Sequence, residues 1–349
     1  MSAGAHFPQR HEAAPGLLLR FLEIRAFWEH YAAFAMRPVW GAAAKGDGHP
    51  VLVLPGLAAG DGSTALMRRF LHLRGYAASG WGQGLNLGLR EGVLDRAHER
   101  LGKLWIEHGR SVSLIGWSLG GLYARELAKR SPELVRLVIT LGSPFTGHPR
   151  ATNAWRLYEF ASGHRIDSHD FHGPMRAAPP VPTTSIWSPT DGVVSWRCSV
   201  ETRRDLAENI VVDSSHLGLG AHPATLYAIA DRLAQPEGHW APFHREGWRR
   251  LVYSDPLKRR AKHESHAHAA PRGARERKVL VQLTPEITRS PPPSSSCCTC
   301  RPKVSGNSSE ERVTLSCSGA LTTCSAFGSH FCNCPGTPLS EYSAHKLLQ

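Results

Sequence analysis

Cysteine is almost absent outside the C-terminal part of the sequence. Seven of the eight cysteines lie between Cys297 and Cys334, and only Cys198 precedes them. A disulfide needs two cysteines, so residues 1–296 cannot form one among themselves. We therefore expect a main body whose fold does not rely on an internal disulfide and is held by a buried core instead.

Long apolar runs are absent as well. The most apolar stretch, residues 15–36, contains five interruptions: Arg20, Glu23, Arg25, Glu29 and His30. These side chains exclude a membrane-spanning segment and the apolar core of a secretory signal. Because no export signal is evident, we expect a cytoplasmic protein.

The same stretch has the spacing of an amphipathic helix. Its large apolar side chains recur on one predicted face: Leu17, Phe21, Ile24, Trp28 and Tyr31. The spacing predicts a helix over about residues 15–36 that packs this face against the domain. The alternative is a peripheral membrane contact through the same face.

Residues 256–349 lack the apolar periodicity of a folded domain. They contain the low-complexity run Pro291–Ser296, and residues 251–349 carry half of the net charge of +12. We expect a basic, disordered tail with no nucleic-acid partner, although a frameshifted or spliced-on terminus has the same appearance. The C-x-x-C at Cys297–Cys300 has no second pair at regular spacing, so no zinc site is expected.

A G-x-S-x-G motif lies between an apolar run and a helical pattern. The run is 112–115, the motif is G-W-S-L-G-G at Gly116–Gly121, and the helical pattern is 122–130. A serine on a tight turn from strand to helix is lifted out of the sheet, and glycines beside it allow close backbone approach. Ser118 is therefore the candidate nucleophile.

A serine nucleophile needs a base, and the base needs an orienting carboxylate. Asp191 follows the strand-like run 183–187, and His216 follows the apolar run 210–212. Both would lie at the carboxyl edge of a parallel sheet, with Asp191 orienting His216. Asp213, in the same loop as His216, is the alternative acid.

Two backbone N–H groups are candidates for an oxyanion hole. The apolar run 51–54 predicts a buried central strand, and Pro55-Gly56-Leu57 follows it directly. The candidate donors are the N–H of Leu57 and that of Leu119, the residue after the nucleophile.

Together these motifs resemble the α/β-hydrolases of the lipase and esterase type, especially small bacterial members with a compact cap. The resemblance spans about residues 45–250 and rests on V-L-V-L-P-G-L, G-W-S-L-G-G, L-G-S-P-F, S-P-T-D-G-V-V and S-S-H-L-G-L. It implies ester hydrolysis through an acyl-enzyme, with Ser118 attacking, His216 as base and then acid, and Asp191 orienting it. Many relatives have His-Gly where this chain has Pro55-Gly56. No opening antiparallel strands are evident, which indicates a minimal sheet.

The predicted fold class is α/β, with a mostly parallel sheet flanked by helices. The helical patterns cover 63–74, 94–108, 122–130 and 224–233. The spacing places Leu66, Phe70 and Leu73 on the buried face of the first helix, and Leu94, Ala97, Leu101 and Trp105 on that of the second. We expect a catalytic domain over 1–255 with a small cap over about 145–182, and a separate tail over 256–349.

The predicted cap carries two further features. Its aromatic residues are expected to line an acyl pocket: Trp155, Tyr158, Phe160 and Phe171. It also holds side chains of metal-ligand type without the spacing of a regular site: His164, Asp167, His169, Asp170 and His172. Neither a metal nor a cofactor is therefore expected.

Two classes of function remain open. The first is a serine hydrolase that acts on a small ester, lipids included, with thioesterase or acyltransferase activity as variants of the same chemistry. The second is a non-catalytic binding protein on a hydrolase scaffold. The oligomeric state is left open by the sequence.

Overall fold

In a computed structural model, the structure describes residues 13–147, 149–163, 177–202, 205–258, 301–304 and 313–316. The chain divides into two compact units, 1–272 and 273–349. In the second unit, β7 (Arg301–Val304) and β8 (Val313–Ser316) form an antiparallel pair. The predictions of a disordered tail and of a histidine-rich cap loop concern residues that lie mostly outside the described ones.

A six-stranded, fully parallel sheet forms the centre of the first unit, which confirms the predicted fold class. The strands are β1 Pro50–Leu54, β2 Ala77–Gly80, β3 Val112–Trp117, β4 Val135–Leu141, β5 Thr183–Trp187 and β6 Ala207–Val211. Their order in the sheet is β2-β1-β3-β4-β5-β6. Since β2 and β3 lie on opposite sides of β1, the chain reverses its direction of travel there. Ligands of such sheets bind at this switch point, beyond the carboxyl ends of the strands.

Helices flank the sheet, and several join consecutive strands. They are α1 Leu17–Leu22, α2 Ala26–Ala35, α3 Ala65–Leu73, α4 Val93–His108, α5 Leu119–Arg130, α6 Trp155–Ser162, α7 Pro223–Leu233 and α8 Arg249–Val252. A 3₁₀ turn, Glu23–Arg25, links α1 to α2. The order of elements and the sheet together define an α/β-hydrolase fold, and the sheet of the first unit carries no additional antiparallel strand among the residues described there.

Both faces of the sheet are covered, because alternate side chains of each strand enter different cores. Val51 and Val53 of β1 pack in the cluster that contains Phe70 of α3 and Ile229 of α7. Leu52 and Leu54 of the same strand pack in the cluster that contains side chains of α4 and α5. A strand buried on both sides reads as a continuous apolar run, as β1 does.

Two helices bury a slightly different face from the predicted one. Leu73 was expected to point inward from its helix, yet it is exposed at the last residue of α3, where the chain turns away. In α4, Leu104 is buried and Trp105 is largely exposed. Neighbouring residues lie about 100° apart around a helix, so only one of this pair can occupy the centre of the buried face.

The N-terminal helical segment, residues 17–42, exposes the apolar face that was predicted to pack against the domain. Its five spaced apolar side chains were expected to pack on the domain, but their exposed fractions run from 61% to 82%: Leu17, Phe21, Ile24, Trp28 and Tyr31. The face toward the domain carries Ala33 and the carboxylates of Glu23 and Glu29 instead. The two carboxylates bind polar backbone in two loops, and Ala33 and Trp40 enter the core, so the segment packs by charge-assisted hydrogen bonds and by these two side chains rather than by the predicted apolar face.

Candidate active site

Ser118 lies on a sharp turn between β3 and α5. Its φ of 53° and ψ of −119° fall in a region that residues with a Cβ rarely adopt. The strand before it is buried along its whole length, and the helix begins at the next residue, Leu119. The Ser118 N–H donates to the Leu141 carbonyl oxygen (2.8 Å), and the side chain remains partly accessible.

The glycines around Ser118 are required by space. A Cβ at Gly116 would overlap the backbone of Gly120 and Gly121, and a Cβ at Gly120 would overlap the carbonyl of Leu54. A Cβ at Gly121 would overlap the side chain of Ser143. The helix therefore approaches both β1 and β3 closely enough to hold the turn in its strained form.

The loop after β1 lies directly beside the serine. A Cβ at Gly56 would lie 3.2 Å from the Ser118 Cβ and 3.9 Å from its Oγ. Among the described residues, no acceptor is paired with the N–H of Leu57 or with that of Leu119. The loop that carries one predicted oxyanion donor, Leu57, thus lies beside Ser118, and the other predicted donor, Leu119, is the next residue in the chain.

Asn86, which no sequence motif indicated, fixes this loop. Its N–H donates to the Ala59 carbonyl (2.8 Å), its own carbonyl accepts from the Ala58 N–H (2.7 Å), and its Nδ2 donates to the Pro55 carbonyl (2.8 Å). The buried Asn86 side chain also accepts from the Tyr123 hydroxyl (3.0 Å). Ala58, between these bonds, has a φ of 55°. The backbone and side chain of one residue therefore hold the loop in a strained conformation.

His216 and Asp191 form a buried hydrogen-bonded pair. The His216 Nδ1–H donates to Asp191 Oδ2 (2.6 Å), and Asp191 Oδ1 accepts from the N–H groups of Val193 (2.8 Å) and Val194 (2.7 Å). In this tautomer the second ring nitrogen of His216, Nε2, carries no proton and can accept one. The side chain of Asp213 is exposed, and Asp191 is the carboxylate bonded to the ring.

Electrostatics around His216 favour its protonated form. Burial lowers the pKa of the imidazole, but the carboxylates of Asp191 and Glu23 outweigh burial, so the His216 pKa is raised above its ordinary value of 6.5. A base that accepts a proton during a reaction is helped by such a charge arrangement.

The serine turn and the His–Asp pair meet at the end of β4. Leu141 accepts the Ser118 N–H, and a Cβ on the next residue, Gly142, would lie 3.1 Å from both Asp191 Oδ2 and His216 Nδ1. The Trp117 indole N–H, from the residue before Ser118, donates to the His216 carbonyl (3.1 Å). The five residues predicted for the site thus all follow the carboxyl ends of sheet strands and share one edge.

A second serine–histidine–aspartate arrangement lies at the opposite edge of the sheet. Asp47 accepts from the His49 ring (2.5 Å), and the Ser113 hydroxyl donates to the other ring nitrogen (2.9 Å). Ser113 is fully buried within β3, and burial lowers the pKa of His49. Asp47 also binds the guanidinium groups of Arg110 (2.6 Å) and Arg136 (3.0 Å). Without an accessible hydroxyl or a strained turn, this group is a structural network.

The cap aromatics do not form the predicted pocket together. Tyr158 of α6 is buried in the core, whereas Phe160 is 88% exposed. Residues two apart point about 200° apart around a helix, so these rings cannot line one surface. Trp155 packs at the edge of the core, and Phe171 lies outside the described residues.

No group of three or more histidine, cysteine, aspartate or glutamate side chains is placed to hold a metal ion in the part of the chain that the structure describes. Cys198 is buried and forms no disulfide with another described residue. Among the same residues, no helix has the length and apolar character needed to cross a membrane.

No protein-family model and no curated protein matches the sequence. Among solved structures, the chain is similar to Aspergillus fumigatus lipase B (TM-score 0.44, 18% identity, 54% of this chain and 53% of the lipase). It is also similar to the Bacillus licheniformis lipase BlEst2 (TM-score 0.41, 16% identity, 55% of this chain and 94% of the lipase). A third similar structure is an α/β superfamily hydrolase from Oenococcus oeni PSU-1 (TM-score 0.41, 16% identity, 53% of this chain and 91% of the hydrolase). The similarity thus spans about half of this chain and about half of the Aspergillus lipase.

Proposed function

We propose that this protein is a serine hydrolase that cleaves carboxylic esters through an acyl-enzyme. The observation that carries the proposal is Ser118 on its strained turn, at the same sheet edge as the buried His216–Asp191 pair. A non-catalytic scaffold would need neither the strain nor a buried carboxylate bonded to a histidine.

In the proposed reaction, Ser118 Oγ attacks the ester carbonyl carbon while His216 Nε2 accepts the hydroxyl proton. The N–H groups of Leu57 and Leu119 bind the oxyanion of the tetrahedral intermediate. Its collapse breaks the carbon–oxygen bond of the ester, and His216 returns the proton to the leaving alcohol. A water molecule then repeats the sequence on the acyl-enzyme, which releases the carboxylic acid and regenerates Ser118.

Labelling by a fluorophosphonate tests the proposal directly, because the reagent reacts with activated serines. We expect the wild-type chain to be labelled at Ser118 and the Ser118→Ala variant to remain unlabelled. A panel of p-nitrophenyl esters of increasing acyl length then gives the chain-length preference, and added thiol or alcohol acceptors separate hydrolysis from acyl transfer. An unlabelled, folded wild-type protein would favour the binding-protein alternative.

We also propose that the exposed apolar face of residues 17–36 contacts an anionic lipid surface, from which the ester substrate is taken. Both carboxylates of the segment, Glu23 and Glu29, are turned toward the body and engaged in hydrogen bonds. The exposed charge that remains is basic, with Arg20 exposed and Arg37 over the ring of Phe34 (4.9 Å). Aromatic and aliphatic side chains flanked by arginines are typical of helices that lie in a lipid interface.

A further inference from the structure

The carboxylate of Glu23 lies buried between the two loops that carry Asp191 and His216. Its Oε1 accepts from the N–H of Gly192 (2.7 Å) and from the N–H of His216 (2.9 Å). Its Oε2 accepts from the N–H of Leu217 (2.9 Å). One side chain, 193 residues from His216 in sequence, thus binds both catalytic loops.

Two neighbours of Glu23 extend this connection. Glu29 accepts from the N–H of Ser215 (2.8 Å) and from its hydroxyl. Arg25 donates to the carbonyl oxygen (2.8 Å) and to the hydroxyl oxygen (2.7 Å) of Thr190. Arg25 and Glu29 also form an ion pair (3.5 Å). The residues that flank Asp191 and His216 are therefore bound from the same helical segment.

Glycines in both loops show how closely the segment approaches. A Cβ at Gly192 would overlap the carbonyl of Leu19, and a Cβ at Gly218 would overlap the carboxylate of Glu29. Neither glycine has a positive φ, so the requirement is for space rather than for backbone freedom. The fit leaves no room for the loops to shift toward the segment.

We propose that Glu23 is a positioning residue for the His216–Asp191 pair, which it acts on by fixing the two loops relative to each other. The proposal rests on the proposed function of that pair. A carboxylate that accepts three backbone N–H groups forms charge-assisted bonds, which are shorter and stronger than neutral ones. Because one of the three N–H groups belongs to His216 and another follows Asp191, the carboxylate sets where the base and its acid meet.

Glu23 also contributes charge. The charged groups that raise the His216 pKa are Asp191 and, more weakly, Glu23, against the effect of burial. The Arg25–Glu29 pair lies beside them and is bound to Thr190 and Ser215. Removal of the Glu23 charge should therefore lower the His216 pKa, since the protonated imidazole loses one of its two neighbouring anions.

Two substitutions separate geometry from charge. Glu23→Gln keeps the shape but removes the charge and one acceptor, whereas Glu23→Asp keeps the charge but shortens the reach. Glu133→Gln, an exposed position elsewhere, is the matched control. The His216 ring is titrated by NMR, with its signal assigned from the His216→Asn variant, and the pH profile of kcat/KM is measured in parallel.

We expect Glu23→Gln to lower the His216 pKa by at least about half a unit. Activity requires neutral His216, so the acidic limb of the profile should move to lower pH by the same amount. Glu23→Asp should leave that limb in place while kcat falls on the order of tenfold, because the loops lose their spacing. The control should change neither quantity.

Unchanged titration and unchanged kcat in both folded variants would overturn the proposal. So would a fall in kcat without any shift of the His216 pKa in Glu23→Gln, since that is the behaviour of a merely structural residue. If Glu23→Gln does not fold, Glu23→Asp decides: a fall in kcat on the order of tenfold with the acidic limb in place is the expected result, and an unchanged kcat would overturn the proposal. The titration needs no turnover, so it tests Glu23 even if the wild-type protein fails to label or to hydrolyse esters.

Discussion

Backbone strain is concentrated at one place in the residues that the structure describes. Among them, Ser118 and Ala58 are the two residues other than glycine with a positive φ, and they lie in the serine turn and in the loop after β1 that contacts it. Such conformations cost about 1–3 kcal/mol each and persist where the surroundings impose them. Here the surroundings are the glycines beside Ser118 and the hydrogen bonds of Asn86 on either side of Ala58. The two strained residues thus belong to the serine turn and to the loop after β1 that lies beside it.

Ser118 and His216 should act as a unit. Ser118→Ala or His216→Ala alone is expected to lower kcat on the order of 10³-fold or more, because each removes the same proton transfer. The double variant should cost little beyond either single one. The measurement is hydrolysis of a p-nitrophenyl ester, with Ser113→Ala as the control from the buried network. Full activity in Ser118→Ala would refute the proposed mechanism.

Asp191 and Asp213 can be separated by amide substitution. Asp191→Asn should lower kcat by up to about 10⁴-fold, because the imidazole loses the carboxylate that fixes its tautomer. Asp213→Asn should have a small effect, since its side chain is exposed and the His216 ring is bonded to Asp191. Circular dichroism checks that both proteins are folded. The opposite ranking would assign the acid role to Asp213.

The predicted nucleophile, acid and base were accessible to sequence reasoning because each follows an apolar run. Strands that alternate with helices form a parallel sheet, and the carboxyl ends of its strands share one edge. The three residues were therefore expected at that edge. Asn86 and Glu23 were missed for a physical reason. Both act on backbone groups of distant loops, and no motif or spacing links an asparagine or a glutamate to carbonyl and N–H groups elsewhere in the chain.

At the scale of elements, the amino-acid composition of each strand determined whether that strand could be predicted from the sequence. The run at β1 is uniformly apolar and was predicted to within one residue of its observed bounds. β2, Ala77–Gly80, was not predicted, since its small residues carry neither β-branching nor alternation and it forms an edge of the sheet. Register and neighbours, rather than intrinsic preference, place this strand.

The N-terminal segment shows the limit of amphipathic patterns. Periodicity correctly indicated a helical segment with one apolar face, but periodicity does not show whether that face packs on the domain or points to solvent. Here the polar face turns inward because buried N–H groups of two loops must be satisfied and carboxylates satisfy them. The apolar face is consequently left outward.

Vesicle binding tests the proposed lipid contact of that face. The triple variant Phe21→Ser, Ile24→Ser, Trp28→Ser should bind phosphatidylglycerol vesicles at least 100-fold more weakly than wild type. The physical reason is that each large side chain contributes about 1.5–3 kcal/mol when fully buried. Pure phosphatidylcholine vesicles should bind the wild type more weakly, because Arg20 and the half-buried Arg37 then find no anionic headgroups.

The matched control replaces two exposed apolar residues on other elements, Ile106→Ser and Leu251→Ser. It should leave vesicle binding unchanged. The alternative partner of the apolar face is a second copy of the chain. Light scattering after size-exclusion chromatography measures the mass of the protein and therefore detects such a dimer. A dimer that the triple variant dissociates, without any binding of the wild type to vesicles, would contradict the lipid proposal.

For the whole molecule, the described candidate site belongs to the first compact unit. All proposed catalytic and positioning groups lie within residues 23–216, and the unit extends to residue 272. The described packing continues past the last predicted helix, since Tyr253 is buried and its hydroxyl donates to the Ala224 carbonyl (2.8 Å). Ser254 also bridges to Val211 at the end of β6. The C-terminal boundary of the functional unit should therefore fall after these residues.

Truncation tests that boundary. A chain ending at Lys258 should keep ester hydrolysis and thermal stability close to those of the full chain, because it retains Tyr253, Ser254 and the Asp255–Arg245 ion pair (3.2 Å). A chain ending at Gly247 loses the Tyr253 ring from the core and leaves the Ala224 carbonyl without that donor. Loss of a buried aromatic ring costs about 3–5 kcal/mol, a large fraction of the stability of a domain, so this shorter chain should melt at a clearly lower temperature. Differential scanning calorimetry and initial rates on one p-nitrophenyl ester compare the three proteins. Equal loss of activity in both truncated chains would mean that residues 259–349 contribute to the fold or to the site, and the unit would then have to be extended beyond Lys258.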